Sequence, residues 1–116
     1  MQIQINTDDN VEGREALETR IEAVVESTLG RFDDRITRVE VHLSDENAGK
    51  SGGGDMRCLM EARPANRQPV AVTHQAASLE EAYQGAARKL RSRLETAFGR
   101  VDDAKGAPSI RDNPLR

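Results

Sequence analysis

The sequence contains few aromatic residues, and this scarcity limits how it can bind other molecules. Aromatic side chains make up 3% of the 116 residues, and tryptophan is absent. Proteins that bind single-stranded nucleic acid by base stacking expose several such rings. This chain offers Phe32, Tyr83 and Phe98, at least two of them at expected core positions. We therefore expect an aliphatic core, and any contact with nucleic acid to be made to its backbone and shape.

Cysteine is scarce too, and no long apolar run is present. The single cysteine, Cys58, excludes an intramolecular disulfide and fits a reducing cytosol. The first ten residues, MQIQINTDDN, lack the basic start and apolar run of a signal peptide. No apolar stretch is long enough to span a bilayer. We expect a cytoplasmic protein with no membrane contact.

Patterns typical of catalytic and metal sites are missing as well. Gly49-Lys50-Ser51 lacks the upstream glycine and the following helix that a phosphate-binding loop requires. His42 lies on the polar face of its predicted strand and Cys58 on the apolar face of its own, so the two side chains diverge. His74 does not complete a Cys-x-x-Cys or His-x-x-x-His spacing, which metal sites often use. We therefore expect no enzymatic activity, no metal or other cofactor and no small-molecule substrate.

What is present is a clear succession of alternating and helical patterns. Alternation predicts strands at residues 2–6, 38–43, 56–62 and 70–75, and helical spacing predicts helices at residues 11–29 and 79–98. Ser78 with Glu81 forms a capping box before the second helix, and Gly30 and Gly99 are expected to end the two helices. The order β-α-β-β-β-α predicts an α+β fold. A four-stranded antiparallel sheet with both helices packed on one face is the economical arrangement.

Each predicted helix carries one apolar stripe. In the first helix the stripe consists of Leu17, Ile21, Val24 and Thr28, with Val25 beside it. In the second helix it consists of Leu79, Tyr83, Ala86, Leu90, Leu94, Ala97 and Phe98. A helix with one apolar stripe buries that side and leaves the other in solvent.

The chain divides into one domain and a tail. The length suits a single modest core, and we place the domain at residues 1–101. Residues 102–116 contain Gly106, Pro108 and Pro114 with few apolar side chains. We expect this tail to be disordered.

Charge is segregated along the chain, which has a formal net charge of −3. Residues 1–34 hold three basic and nine acidic groups, whereas residues 78–116 hold eight basic and six acidic ones. Residues 88–100 alone contain five of the seventeen Lys and Arg residues and one acid, Glu95. A basic segment in an acidic protein is a candidate contact surface for a polyanion, because Lys and Arg neutralise phosphates and release counterions.

Helical geometry divides this basic segment between two sides of the second helix. At about 100° per residue, Lys89, Arg93 and Arg100 share one flank that carries no acid. Arg88 and Arg91 are predicted on the other side, nearer Glu95 and Glu81. Ordinary solvated charges near a helix C-terminus would give the same pattern, and the pattern alone does not separate the two interpretations.

Three segments in this order and spacing resemble a known family. They are MQIQINTDDNVEGREAL at the start, FDDRITRVEVHLS before and within the second strand, and SLEEAYQGAARKLRSRLE in the last helix. Over about residues 1–100 the chain resembles the ribosome hibernation promoting factors and ribosome-associated translation inhibitors, also called sigma-54 modulation or ribosomal subunit interface proteins. It resembles the short, single-domain form.

The resemblance implies both a fold and a function. The fold would be similar to a double-stranded-RNA-binding domain. The partner would be the small ribosomal subunit with its ribosomal RNA, bound where messenger and transfer RNA pass, so that idle ribosomes are silenced during stress. The resemblance places the RNA contacts on the last helix, at Arg88, Lys89, Arg91 and Arg93, with Arg100 beyond them.

A different class of function also fits the sequence. The chain could be a non-enzymatic protein-interaction or scaffold module that binds another protein. Such a module would need a solvent-facing apolar patch. Leu59, on the outward face of its predicted strand, is the obvious starting point for one.

Overall fold

Four strands and two long helices follow the chain in the predicted order β-α-β-β-β-α. The computed structural model describes residues 1–7, 14–45 and 56–106, with residues 100–106 described by their backbone alone. The strands are β1 (Gln2–Thr7), β2 (Ile36–Asp45), β3 (Met56–Pro64) and β4 (Val70–Ala76), and the helices are α1 (Arg14–Leu29) and α2 (Leu79–Gly106). The Gly-rich segment 46–54 and the tail residues 107–116 lie outside the described residues, so the expected division into domain and tail stays a prediction.

The strands form one mixed sheet in the spatial order β1-β2-β3-β4. β2, β3 and β4 pair antiparallel, but β1 pairs with β2 in parallel, from Gln2 opposite Arg38 to Thr7 opposite Leu43. The prediction of an antiparallel sheet is therefore wrong for β1. The physical reason is the length of the connection between the strands. Between β1 and β2 the helix α1 returns the chain to the end of the sheet where β1 began, so β2 runs parallel to β1. Between β3 and β4 the connection is a short turn, which joins antiparallel strands.

The core lies between one face of the sheet and the two helices. Alternate residues of β2, β3 and β4 are buried on this face: Val39, Val41, Leu43, Cys58, Met60, Ala62 and Val72. The buried residues of both helices join them in a single cluster. The predicted α+β architecture is confirmed, and the outer face of the sheet carries polar and charged side chains.

The buried stripe of α1 is displaced from the predicted one. Leu17, Ile21, Val25 and Leu29 are buried, each four residues after the last. Val24 and Thr28, predicted within the stripe, are only half-buried. Side chains at i and i+4 lie on the same face of a helix, so the helix turns this single row towards the sheet.

The predicted cap of α2 is present, whereas its predicted end is wrong. The backbone N–H of Glu81 donates to Oγ of Ser78 over 3.2 Å. The helix continues through Gly99 to Gly106. Gly99 has no positive φ, and a glycine in a right-handed helical conformation lowers helix stability by only about 1 kcal/mol without ending the helix.

A close contact between Gly85 and His74 sets α2 against the edge strand β4. A Cβ atom added at Gly85 would lie 2.2 Å from Cδ2 and 2.4 Å from Nε2 of the His74 ring. The absence of a side chain at Gly85 thus leaves room for the ring. The following turns of α2, which carry the basic residues, run beside the free edge of β4.

Candidate nucleic-acid interface

An open groove of about 900 Å³ lies between α2 and the edge strand β4. The α2 side is formed by Arg88, Lys89, Ser92, Arg93 and Thr96. The opposite side is formed by Leu59 of β3 and by Ala71, Val72 and Thr73 of β4. The groove therefore has a basic wall and a mostly apolar and hydroxylic wall, and none of the described residues that line it is acidic.

Three cations converge on the groove. Arg88 and Arg93 are exposed, and neither has an ion-pair partner among the described residues. The Nζ atom of Lys89 donates a 2.9 Å hydrogen bond to the carbonyl oxygen of Thr73. Arg88 and Arg93 are separated by about 7.5 Å along the helix axis. A string of negative charges laid along the groove would therefore meet more than one guanidinium.

The structure changes the predicted grouping of Arg88 and Arg91. Arg88 lines the groove with Lys89 and Arg93, and does not lie with Arg91 as the helical projection predicted. Arg91 turns away from the groove: its Nε lies 3.3 Å from Oε2 of Glu95. The same oxygen accepts a 2.9 Å hydrogen bond from Nη1 of Arg31. Arg91 is therefore already engaged by a carboxylate.

Arg100, the remaining predicted contact residue, belongs to the part of α2 that is described by its backbone alone. Its place in the contact surface stays a prediction.

The wall opposite the basic residues was missed by sequence reasoning. Leu59 of β3 lies across from Thr73 of β4, and Ala71 lies two residues before Thr73 on the same strand. These residues line the groove because β4 is the strand next to α2. No local sequence pattern predicts that position of β4. Leu59, expected to be the seed of an apolar docking patch, is half-buried, and no large apolar side chain is exposed in the described part of the chain.

Two cations on the outer face of the sheet, Arg38 and Arg63, form ion pairs, unlike Arg88 and Arg93 in the groove. Glu40, whose side chain is 15% exposed, lies 2.6 Å from Nη2 of Arg38 and 3.6 Å from Nε of Arg63. Nε2 of His42 lies 3.4 Å from its other oxygen. Burial raises the pKa of Glu40, but the hydrogen bond with His42 and the charges of Arg38 and Arg63 outweigh it, so that the pKa is lowered from 4.5.

Among the described residues, no group of three or more His, Cys, Asp or Glu side chains is placed to hold a metal ion. None of the helical segments described combines the length and the apolar character needed to cross a bilayer.

The comparison with protein families decides where this fold belongs. A profile of the family described as sigma 54 modulation protein / S30EA ribosomal protein matches residues 3–101. The chain belongs to this family. Membership places it among proteins associated with the ribosome and with the regulation of translation. The match spans all four strands and most of α2, including the groove.

Solved structures of related fold agree with this assignment. A ribosomal subunit interface protein from Coxiella burnetii is 14% identical with a TM-score of 0.65, and the alignment covers 85% of this chain and 99% of that one. The N-terminal domain of Protein Y from Thermus thermophilus is 25% identical with a TM-score of 0.59, covering 84% and 99%. The search of curated proteins gave no match.

Proposed function

We propose that this protein binds the small ribosomal subunit in the cytoplasm and inhibits translation by occupying the path of messenger and transfer RNA. It acts by occlusion and carries out no chemical reaction. Membership of the S30EA family supports association with the ribosome. The observation that carries the proposal is the groove, where the cations of Arg88, Lys89 and Arg93 converge on a protein of net charge −3 and no acidic residue is among the described ones that line it.

The physical basis of binding is attraction to the phosphate backbone. Each phosphate neutralised by Lys or Arg releases a condensed counterion, so affinity falls steeply with salt. The acidic outer surface of α1, with exposed Glu15, Glu22 and Glu26, repels the same backbone. Opposite charges on the two helices orient the protein with α2 towards RNA.

The test is co-sedimentation with purified small subunits over a series of salt concentrations. Arg88→Gln combined with Arg93→Gln should weaken binding at every concentration and flatten the log–log salt dependence by about 0.7–0.9 per lost contact. Arg14→Gln, on α1, is the control for loss of a cation outside the groove. A parent protein that stays in the supernatant at low salt would refute the proposal.

Occlusion needs a measurement of its own. Small subunits saturated with the protein should retain less messenger and less transfer RNA on a filter than free subunits do. If the protein sediments with the subunit but leaves the retention of both RNAs unchanged, it binds elsewhere and the proposed mechanism is wrong.

A further inference from the structure

A second pocket, of about 780 Å³, adjoins the groove at the turn between β3 and β4. Val70 and Ala97 line it, and each is the direct neighbour of a groove residue, Ala71 and Thr96. The two cavities therefore follow one another along β4 and α2. The polar side chains in the second pocket are Asp34, Arg35, Asn66, Arg67 and Gln68.

Two guanidinium groups in this pocket are held over one aromatic ring. The central carbon of the Arg35 guanidinium lies 3.9 Å from the centroid of the Phe98 ring, and that of Arg67 lies 4.7 Å from it. Nη1 of Arg67 also donates to the carbonyl oxygen of Ala97 over 3.0 Å. The ring itself is 3% exposed and packs on Phe32 with 5.3 Å between centroids. A buried ring thus fixes both cations in advance of any ligand.

This arrangement suits a ligand that combines a phosphate with a flat ring. A guanidinium donates in parallel to two phosphate oxygens and also presents a planar face on which a base stacks. The side-chain amides of Asn66 and Gln68 add donors and acceptors at the pocket wall. Asn66, which has a positive φ of 62°, lies in the turn between β3 and β4. The volume lies within the range of small-ligand pockets, so a single nucleotide fits.

We propose that this pocket holds one unpaired RNA nucleotide, its phosphate bound by Arg67 and Arg35 and its base stacked on a guanidinium face. The inference rests on the proposed function, since the nucleotide belongs to the strand whose neighbouring phosphates occupy the groove. The chain has few aromatic side chains on which a base could stack. In this pocket the flat guanidinium groups of arginine take their place. A free mononucleotide has the same chemistry, and the experiment separates the two sources.

Asp34 provides a sensitive probe of the pocket. Its side chain is exposed and lines the same cavity, so its negative charge opposes a bound phosphate. Asp34→Asn keeps the size of the side chain and removes that charge. The substitution should therefore strengthen binding of RNA. If the pocket holds no phosphate, the affinity for RNA should stay unchanged.

Binding is measured by fluorescence anisotropy with a labelled, unstructured RNA oligonucleotide and the full chain over a salt series. Arg67→Lys keeps the positive charge but removes the planar guanidinium on which a base would stack. It should weaken binding about tenfold and change the slope of log affinity against log salt concentration very little. Arg67→Gln should also reduce that slope by about 0.7. The matched control is Arg31→Gln, because Arg31 lies over the ring of Phe32 but pairs with Glu95 outside the pocket.

The outcomes separate this inference from the proposed function. Weaker binding by both Arg67 variants, together with tighter binding by Asp34→Asn, supports it. Parent-like binding by Arg67→Lys and Asp34→Asn overturns it, even if the parent still sediments with small subunits. Should AMP bind in an Arg67-dependent way while the oligonucleotide is insensitive to Arg67, the pocket serves a free nucleotide and the RNA assignment is wrong. If the oligonucleotide binds with the expected dependence on Arg67 and Asp34 but the parent does not sediment with small subunits, the nucleotide pocket is supported and only the proposed ribosomal function is wrong.

Discussion

Lys89 reaches from α2 to the edge of the sheet, where its Nζ donates to the carbonyl oxygen of Thr73 over 2.9 Å. The free edge of a sheet exposes unpaired backbone groups that invite pairing with another chain. One cation of the candidate interface therefore also satisfies an edge carbonyl and ties α2 to β4.

The first prediction separates these two roles. Lys89→Met keeps the stem but loses the ammonium, so it should lower the free energy of unfolding by about 1 kcal/mol and also weaken binding to small subunits. Arg93→Gln should weaken binding without that loss of stability. Urea denaturation and co-sedimentation measure the two effects. Equal stability of Lys89→Met and the parent would show that the hydrogen bond contributes nothing to folding.

The second prediction concerns the contact between Gly85 and His74. Gly85→Ala should destabilise the protein by about 1–2 kcal/mol, because a Cβ in collision with the ring outweighs the better helix propensity of alanine. In a His74→Ala background the same change should be neutral or stabilising. Thermal or urea denaturation of the four proteins in this cycle gives the coupling. Additive effects would mean that the two residues do not restrain each other.

The third prediction is a pH dependence of stability that depends on Glu40. The pKa of Glu40 is lowered in the folded protein from 4.5, so its ion pairs stabilise fully above that pH. The stabilisation is lost as the pH falls through the lower folded value. Glu40→Gln should be less stable than the parent at neutral pH, and the difference should shrink in acid. Glu22→Gln, exposed on α1, is the control, and a constant difference at all pH values would contradict the assignment.

The fourth prediction concerns the thiol of Cys58. Cys58 is fully buried, and burial raises its pKa to about 12. Reaction with a disulfide reagent at pH 8 should therefore require unfolding and proceed roughly a thousandfold or more slower in the native protein than in urea. Rapid labelling of the native protein would show that the inner face of β3 is accessible, contrary to this fold.

Local pattern alone was enough for the strands and for the start of α2. The alternation of Met56, Cys58, Met60 and Ala62 predicted the inner face of β3, because side chains on a strand point alternately to its two faces. Ser78 and Glu81 predicted the start of α2, since a cap involves neighbours in the chain. The acid-free flank with Lys89 and Arg93 was likewise visible from helical spacing.

The remainder was decided by packing between distant segments. The parallel pairing of β1 and the choice of Leu17, Ile21, Val25 and Leu29 as the buried row of α1 both depend on how the elements pack together. Neither feature has a local signature, because each is set by contacts with residues far away in the chain.

The candidate site shows the same division. The amino-acid sequence determined by itself that positive charge is concentrated on one helix, because charge and helical spacing are properties of the chain. Only the tertiary structure placed Arg88 in the groove and Arg91 against Glu95. It also brought Arg35 and Arg67 over the ring of Phe98. These three residues are distant in the sequence. They meet because the residue before β2, the turn after β3 and the part of α2 around Phe98 lie at the same end of the sheet.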